Sequence, residues 1–267
     1  MQRPHTDGQG TPVRIAAWSG PRNISTALMR AWENRGDCAV SDEPLYAHYL
    51  HATGLDHPAR DAVVAAGDTD WRRVVSALAT GPVPGGHAIW YQKHMAQHLL
   101  PGMDTAWVHA LHNVFLIRDP ALVVASYVKA RAACEPADIG LLQQAALFDS
   151  LAGRLGRAPL VIDGERFLQA PAAHLRALCT DAGVPFEPCR ERMLRWPPGP
   201  RASDGVWAPH WYAAVWRSTG FEPWRPRQPA LDDAGRRVAE ACRPAYERLL
   251  RYALPLPLPA AGDTAPG

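Results

Sequence analysis

Lysine is nearly absent from this chain: of 28 basic residues only Lys93 and Lys129 are lysines, and the rest are arginines. An arginine-biased genome accounts for that as well as any function does, yet each arginine offers a planar fork suited to phosphate and sulfate oxygens. Charge of one sign is also lacking. Twenty-eight basic residues face 26 acidic ones, a net charge of +2, so no global field points to a nucleic-acid or membrane-surface partner. Cysteines are few and odd in number, at Cys38, Cys134, Cys179, Cys189 and Cys242, with no C-x-x-C pair. That pattern excludes a disulfide framework or a cysteine zinc site and reads as reduced thiols. No apolar run approaches the length of a membrane span. The opening MQRPHTDGQGTPVR has no apolar stretch of the signal-peptide kind. A cytoplasmic protein is expected, its oligomeric state open.

What is present is enough to build a core: 267 residues, 47% of them hydrophobic, fit one large α/β domain. A single domain is expected over 13–253, with tails 1–12 and 254–267, rich in Pro, Gly and small residues, expected to be disordered. Short apolar segments read as strands at Val13–Trp18, Cys38–Val40, His87–Lys93, Val114–Ile117 and Leu160–Ile162. Helical stretches follow at Ser25–Asn34, Ala121–Arg131 and Pro171–Ala182, and a closing helix at Ala230–Tyr252. Alternation of this kind predicts a three-layer fold with a central parallel sheet. Trp196–Trp224, rich in Pro, Gly and Trp, reads instead as an irregular lid or wall.

Ligands of open parallel sheets gather where strands end, and three strand ends carry capable residues. After the first comes SGPRNIST, a loop entering a helix, with Arg22, Ser25 and Thr26 able to meet an anion or, more simply, to cap the helix. It is not a Walker A loop, since the second Gly and the Lys of G-x-x-x-x-G-K-[ST] are missing. The strand ending Tyr91-Gln92-Lys93-His94 offers His94 as a general base. Neighbours on a strand point to opposite sides, so at most one of Lys93 and His94 faces a given pocket unless the chain turns. His98, four residues on, invites a metal reading with His94, but no third ligand has supporting spacing; a structural histidine is the simpler account. In the third segment Arg118 ends an apolar strand, where its charge calls for an anion, and Ser126 follows on the next helix.

Taken together, these elements resemble the family of PAPS-dependent sulfotransferases (PAPS is 3′-phosphoadenosine-5′-phosphosulfate). Pro21-Arg22-Asn23-Ile24-Ser25-Thr26 is similar to the family's phosphosulfate loop P-K/R-S-G-T/S-T, with Ile24 where glycine is usual. Arg118-Asp119-Pro120 through Ser126-Tyr127 matches its R-N/D-P-x(5)-S-Y signature. Lys93-His94 resembles its K-x-H motif, one residue shorter, and Arg201, Gly205 and Trp207 echo its G-x-W loop. Gly164-Glu165-Arg166-Phe167 stands where an aromatic residue is expected before an E-D pair.

The resemblance implies a P-loop NTPase-like fold of the sulfotransferase type and transfer of a sulfuryl group from PAPS, without a metal, to a hydroxyl or amine of a small molecule. It assigns Arg22, Asn23, Ile24, Ser25 and Thr26 to the phosphosulfate, and Arg118, Ser126 and Arg201 to the 3′-phosphate. His94 would then be the base, with Lys93 or Arg22 offsetting charge on the bridging oxygen. The acceptor is expected near Asp42-Glu43-Pro44-Leu45-Tyr46 and Trp207, His210, Trp211 and Tyr212. Two alternatives stand beside it: a P-loop small-molecule kinase with Asp119 on magnesium, and a non-catalytic nucleotide binder.

Overall fold

A computed structural model of the chain describes residues 11–131 and 133–257; most of the two expected tails lies outside them. Five strands, β1 Val13–Ser19, β2 Cys38–Asp42, β3 Ile89–Met95, β4 His112–Ile117 and β5 Leu160–Asp163, form one parallel sheet in the order β2-β3-β1-β4-β5. The expected α/β architecture is what the chain adopts.

Between the strands run α1 Ser25–Glu33, α2 Tyr46–Thr53, α3 Arg60–Ala66, α4 Trp71–Thr80, α5 Pro120–Tyr127, α6 Pro136–Ile139 and α7 Leu141–Leu155. After β5 come α8 Gly164–Gln169, α9 Pro171–Asp181, α10 Arg190–Leu194, α11 Ala208–Trp211, α12 Ala213–Arg217 and α13 Asp233–Leu250.

Alternate residues of each strand point to opposite faces, and both faces are buried, as a parallel sheet requires. Ile15 and Ala17 of β1 join Tyr91, Val114, Leu116 and Ile162 under α1, α9 and α10. Ala16 and Trp18 join Phe115, Ile117 and Val161 under α7 and α13. The register pairs Ala17 with Lys93 and Trp18 with His94, so those two neighbours on β3 belong to opposite layers.

Residues 196–224 are not wholly irregular. They hold α11 and α12, and the segment is closed at its base by an antiparallel bridge between Arg195 and Gly220. Its anchor is Asp204, which pairs with Arg30 of α1 and also accepts from Trp216 Nε1 at 2.9 Å and the Arg201 backbone N–H at 2.8 Å. Arg30 is 1% and Asp204 6% exposed, so neither charge has water to fall back on. Replacing Asp204 by Ala should lower the unfolding free energy by about 2–3 kcal/mol, because the buried Arg30 loses one of its two carboxylates and keeps only Glu33 at 3.0 Å. Urea denaturation of the two proteins measures it.

Candidate active site

The β1–α1 loop crosses the end of the central strand and delivers α1 with its first turn open. Ile24 caps the helix with no side-chain hydrogen bond, and no acidic residue sits in that turn. The amides of Ser25 and Thr26 and the positive end of the helix dipole therefore remain free for an anion. Asn23 fixes the approach: its Oδ1 accepts from the Ile24 N–H at 2.8 Å and its Nδ2 donates to the Leu116 carbonyl at 3.2 Å. A Cβ on Gly164 would stand 2.7 Å from that Oδ1. This close approach is what glycine supplies where the family pattern has an aromatic residue.

The loop's unusual backbone is not at Ile24. That residue has φ −82°, open to any side chain, while Arg22 has φ +56°. A non-glycine residue held in the left-handed region costs about 1 kcal/mol or more and persists only when its surroundings enforce it. Here Arg118 donates to the Arg22 carbonyl at 2.7 Å, and Arg22 Nε donates to Ser126 Oγ at 2.9 Å. Burial lowers the pKa of Arg22 from its ordinary value, and no carboxylate pairs with it among the described residues. A half-buried guanidinium without a carboxylate is arranged for an anion from outside. Arg118 is likewise desolvated, with Arg227 and Arg22 adding to the effect and Glu165, 3.3 Å from its Nε, opposing it.

These groups line one cavity of about 360 Å³ at the carboxyl ends of the strands, bringing together Arg22, Asn23, Ile24, Ser25, Thr26, Lys93, Arg118 and Ser126. Glu43, Tyr46, Trp207, Trp211 and Tyr212 form further walls, while His210 is exposed and off the cavity.

Two of the residues expected to act on the donor or the proton are elsewhere as well. His94 shares the layer of Trp18, stacks on its indole with ring centroids 4.4 Å apart, and approaches Gln92 Oε1 at 3.3 Å. Burial, then Lys93, pushes its pKa down to about 3. Strand parity is the reason: Lys93 takes the cavity side and its neighbour cannot. Arg201 turns back to donate to the Pro197 carbonyl at 3.1 Å and does not reach the cavity; Arg227, which sequence reasoning passed over, does.

Lys93 lines the cavity but is fully engaged. Its Nζ meets Asp42 Oδ1 at 2.8 Å, Glu43 Oε1 at 2.5 Å and the Tyr212 hydroxyl at 2.9 Å. An ammonium has three protons, and all three are used, so none is free for a bridging oxygen. Burial opposes the charge on Lys93, but the carboxylates outweigh it and hold its pKa well above the ordinary value. Glu43 is the second cavity residue with a left-handed backbone, at φ +45°.

Two histidines do line the cavity: His57, whose Nδ1 is held by the Tyr46 hydroxyl at 2.9 Å, and His98, just past β3, where the chain turns through a short 3₁₀ segment. His98 is 2% exposed and stacks on Tyr46 and Tyr49, with centroids 4.9 and 4.6 Å away. Its Nδ1 is buried with no hydrogen-bond partner. Burial, then Lys93 and the neighbouring histidines, holds its pKa well below the ordinary value, so the ring is neutral. Among the described residues no group of three or more His, Cys, Asp or Glu is placed to hold a metal.

A family model described as a sulfotransferase domain matches residues 13–251. The chain belongs to that family. This sulfotransferase domain is also similar to two curated proteins of Arabidopsis thaliana. One is branched-chain-amino-acid aminotransferase-like protein 2, 35% identical over 207 residues that make up 78% of this chain and 36% of that protein. The other is branched-chain-amino-acid aminotransferase-like protein 1, 37% identical over 79% of this chain and 37% of that one. The sulfotransferase domain thus spans little more than a third of the curated relatives it matches. Among solved structures it resembles the sulfotransferase domain of the Synechococcus PCC 7002 olefin synthase, with 16% identity, TM-score 0.49, and 96% and 100% of the two chains covered. It likewise resembles the sulfotransferase domain from the curacin biosynthetic pathway, with 17% identity, TM-score 0.46, and 91% and 99% covered. Among the described residues no helix is long and apolar enough to cross a membrane.

Proposed function

We propose that the chain transfers a sulfuryl group from PAPS to a hydroxyl of a small-molecule acceptor, with His98 rather than His94 receiving the proton. The observation that carries the donor half is the convergence of Arg22, Arg118, Ser126 and the uncapped first turn of α1 on one cavity. Arg22 and the amides of Ser25 and Thr26 would hold the 5′-phosphosulfate, and Arg118 with Ser126 the 3′-phosphate; Arg227 lies in reach of the same end.

In the reaction a new S–O bond forms to the acceptor oxygen, whose proton passes to the His98 imidazole. The S–O bond to the 5′-phosphate breaks, and adenosine 3′,5′-bisphosphate leaves with the electron pair. Such a transfer depends on positioning and on charge stabilisation at the leaving oxygen. Arg22 is the candidate for the latter, since Lys93 is committed to Asp42, Glu43 and Tyr212. Lys93 would act by anchoring Glu43 and the aromatic wall.

Calorimetric titration tests the donor assignment. Adenosine 3′,5′-bisphosphate should bind more tightly than AMP, and Arg118→Ala should weaken it about tenfold or more, the worth of charged hydrogen bonds to a phosphate. Binding of ATP with magnesium alone would favour the kinase reading instead.

A further inference from the structure

Charge is unevenly placed along the cavity. At one end Arg22, Arg118 and Arg227 outnumber Glu165 and Glu222. At the other end two carboxylates, Asp42 and Glu43, share the single ammonium of Lys93. The lysine and aspartate side chains there are 2% and 1% exposed and that of Glu43 is 12% exposed. Two carboxylates on one cation are one positive charge short where water is scarce: burial raises the pKa of Glu43, with Asp42 adding to the effect and Lys93 opposing it, the mark of a carboxyl that lacks a full partner.

Of the two oxygens of Glu43, Oε1 takes the Lys93 contact. No hydrogen bond reaches Oε2 among the described residues, although Glu43 lines the cavity. The histidines beside it do not balance the charge: burial keeps both His98 and His57 on the neutral side, their pKa values below the ordinary one. Of the charges that act on His57, Arg131 lowers its pKa further while Asp138 and Asp56 oppose it.

The walls at this end are aromatic. Tyr46 and Trp207 stand edge to face at 87°, centroids 5.1 Å apart, and Trp211 lines the same cavity. Gly205 makes room for this arrangement, since a Cβ there would lie 2.2 Å from the Trp207 ring. An aromatic wall beside a carboxylate suits a desolvated organic cation. His98, whose buried Nδ1 has no hydrogen-bond partner, lines the same cavity.

We infer that the acceptor carries a protonated amine, docked against Glu43 beside the aromatic wall of Tyr46, Trp207 and Trp211, at the end of the cavity opposite the arginines. This rests on the sulfotransferase reading for the word acceptor, but the cation site itself is a property of the cavity wall. It narrows the substrate class to amino alcohols and arylalkylamines that also bear a hydroxyl, and disfavours carboxylates and neutral alcohols.

The test compares two probes of equal shape, 2-phenylethylamine and 2-phenylethanol, by calorimetry at neutral pH, with and without adenosine 3′,5′-bisphosphate. The amine should bind at least about tenfold more tightly than the alcohol. Glu43→Gln should erase that preference while leaving bisphosphate affinity unchanged. Equal binding of the two probes, binding of neither, or a preference that survives Glu43→Gln overturns the inference. The probe comparison on the unaltered chain decides the matter even if the variant fails to fold. Bisphosphate titration in the same series reports separately on the donor reading, so an amine preference without bisphosphate binding would sink that reading and leave this one standing.

Discussion

Replacing His98 by Ala should lower turnover by about 10²–10⁴-fold, the usual worth of a positioned general base, while adenosine 3′,5′-bisphosphate still binds with its native affinity. The neighbouring substitution should do the reverse. His94 is enclosed and stacked on Trp18, so His94→Ala removes core packing and should cost about 2–4 kcal/mol of stability, yet the folded fraction should keep its turnover. Loss of turnover in the His94 variant, with His98→Ala active, would return the base to His94. The pH dependence gives a further check. The pKa of His98 in the free protein lies below its ordinary 6.5, and protonation removes the base. The acid limb of kcat/KM should therefore fall below that value, with no loss of rate as pH rises through it. An acid limb above 6.5 would point to another group.

Most of the scaffold is legible from residue pattern. The five strands stand within a few residues of where short apolar runs place them, because a parallel sheet buried on both faces needs continuous apolar segments. The helices at residues 46–80 and 141–155 carried no assignment. Yet Leu141, Gln144, Leu147, Phe148 and Leu151 of α7, all buried, recur at helical spacing, a signal that was present in the sequence. The cavity arginine Arg118 is legible for a related reason: an arginine at the end of an apolar strand has few other uses.

What the sequence hides is the choice between neighbours. Strand parity limits the pocket to one of Lys93 and His94, but only the register with Ala17 and Trp18 says which. The turn that carries His98 back to the cavity is a three-residue 3₁₀ segment too short to leave a periodic trace. The left-handed conformations at Arg22 and Glu43 are equally silent, since neither residue type suggests one. Both are imposed by partners far along the chain, Ser126 and Arg118 for the first and Lys93 for the second. They fall at the positions where the cavity's positive and negative ends meet its two substrates in the proposed reaction.

Arg22→Gly isolates the charge of that residue from its backbone. Alanine there would have to sustain φ +56° and would mix strain with loss of charge, whereas glycine adopts the left-handed region freely. The Arg118 bond to the residue-22 carbonyl can therefore persist. If the guanidinium stabilises charge on the leaving oxygen, turnover with PAPS should fall about 10²–10³-fold, as when one preorganised donor is removed from an oxyanion site. The unfolding temperature should change little, since no carboxylate loses a partner. Arg22→Lys should recover part of the rate, but it restores a point charge without the fork that holds Ser126. Steady-state rates and thermal unfolding on the same preparations measure both. Undiminished turnover in Arg22→Gly would mean that another cation meets the leaving oxygen. Lys93 could do so only by releasing one of Asp42, Glu43 and Tyr212, and the variant Tyr212→Phe, which removes one of those three partners, would then raise the rate rather than lower it.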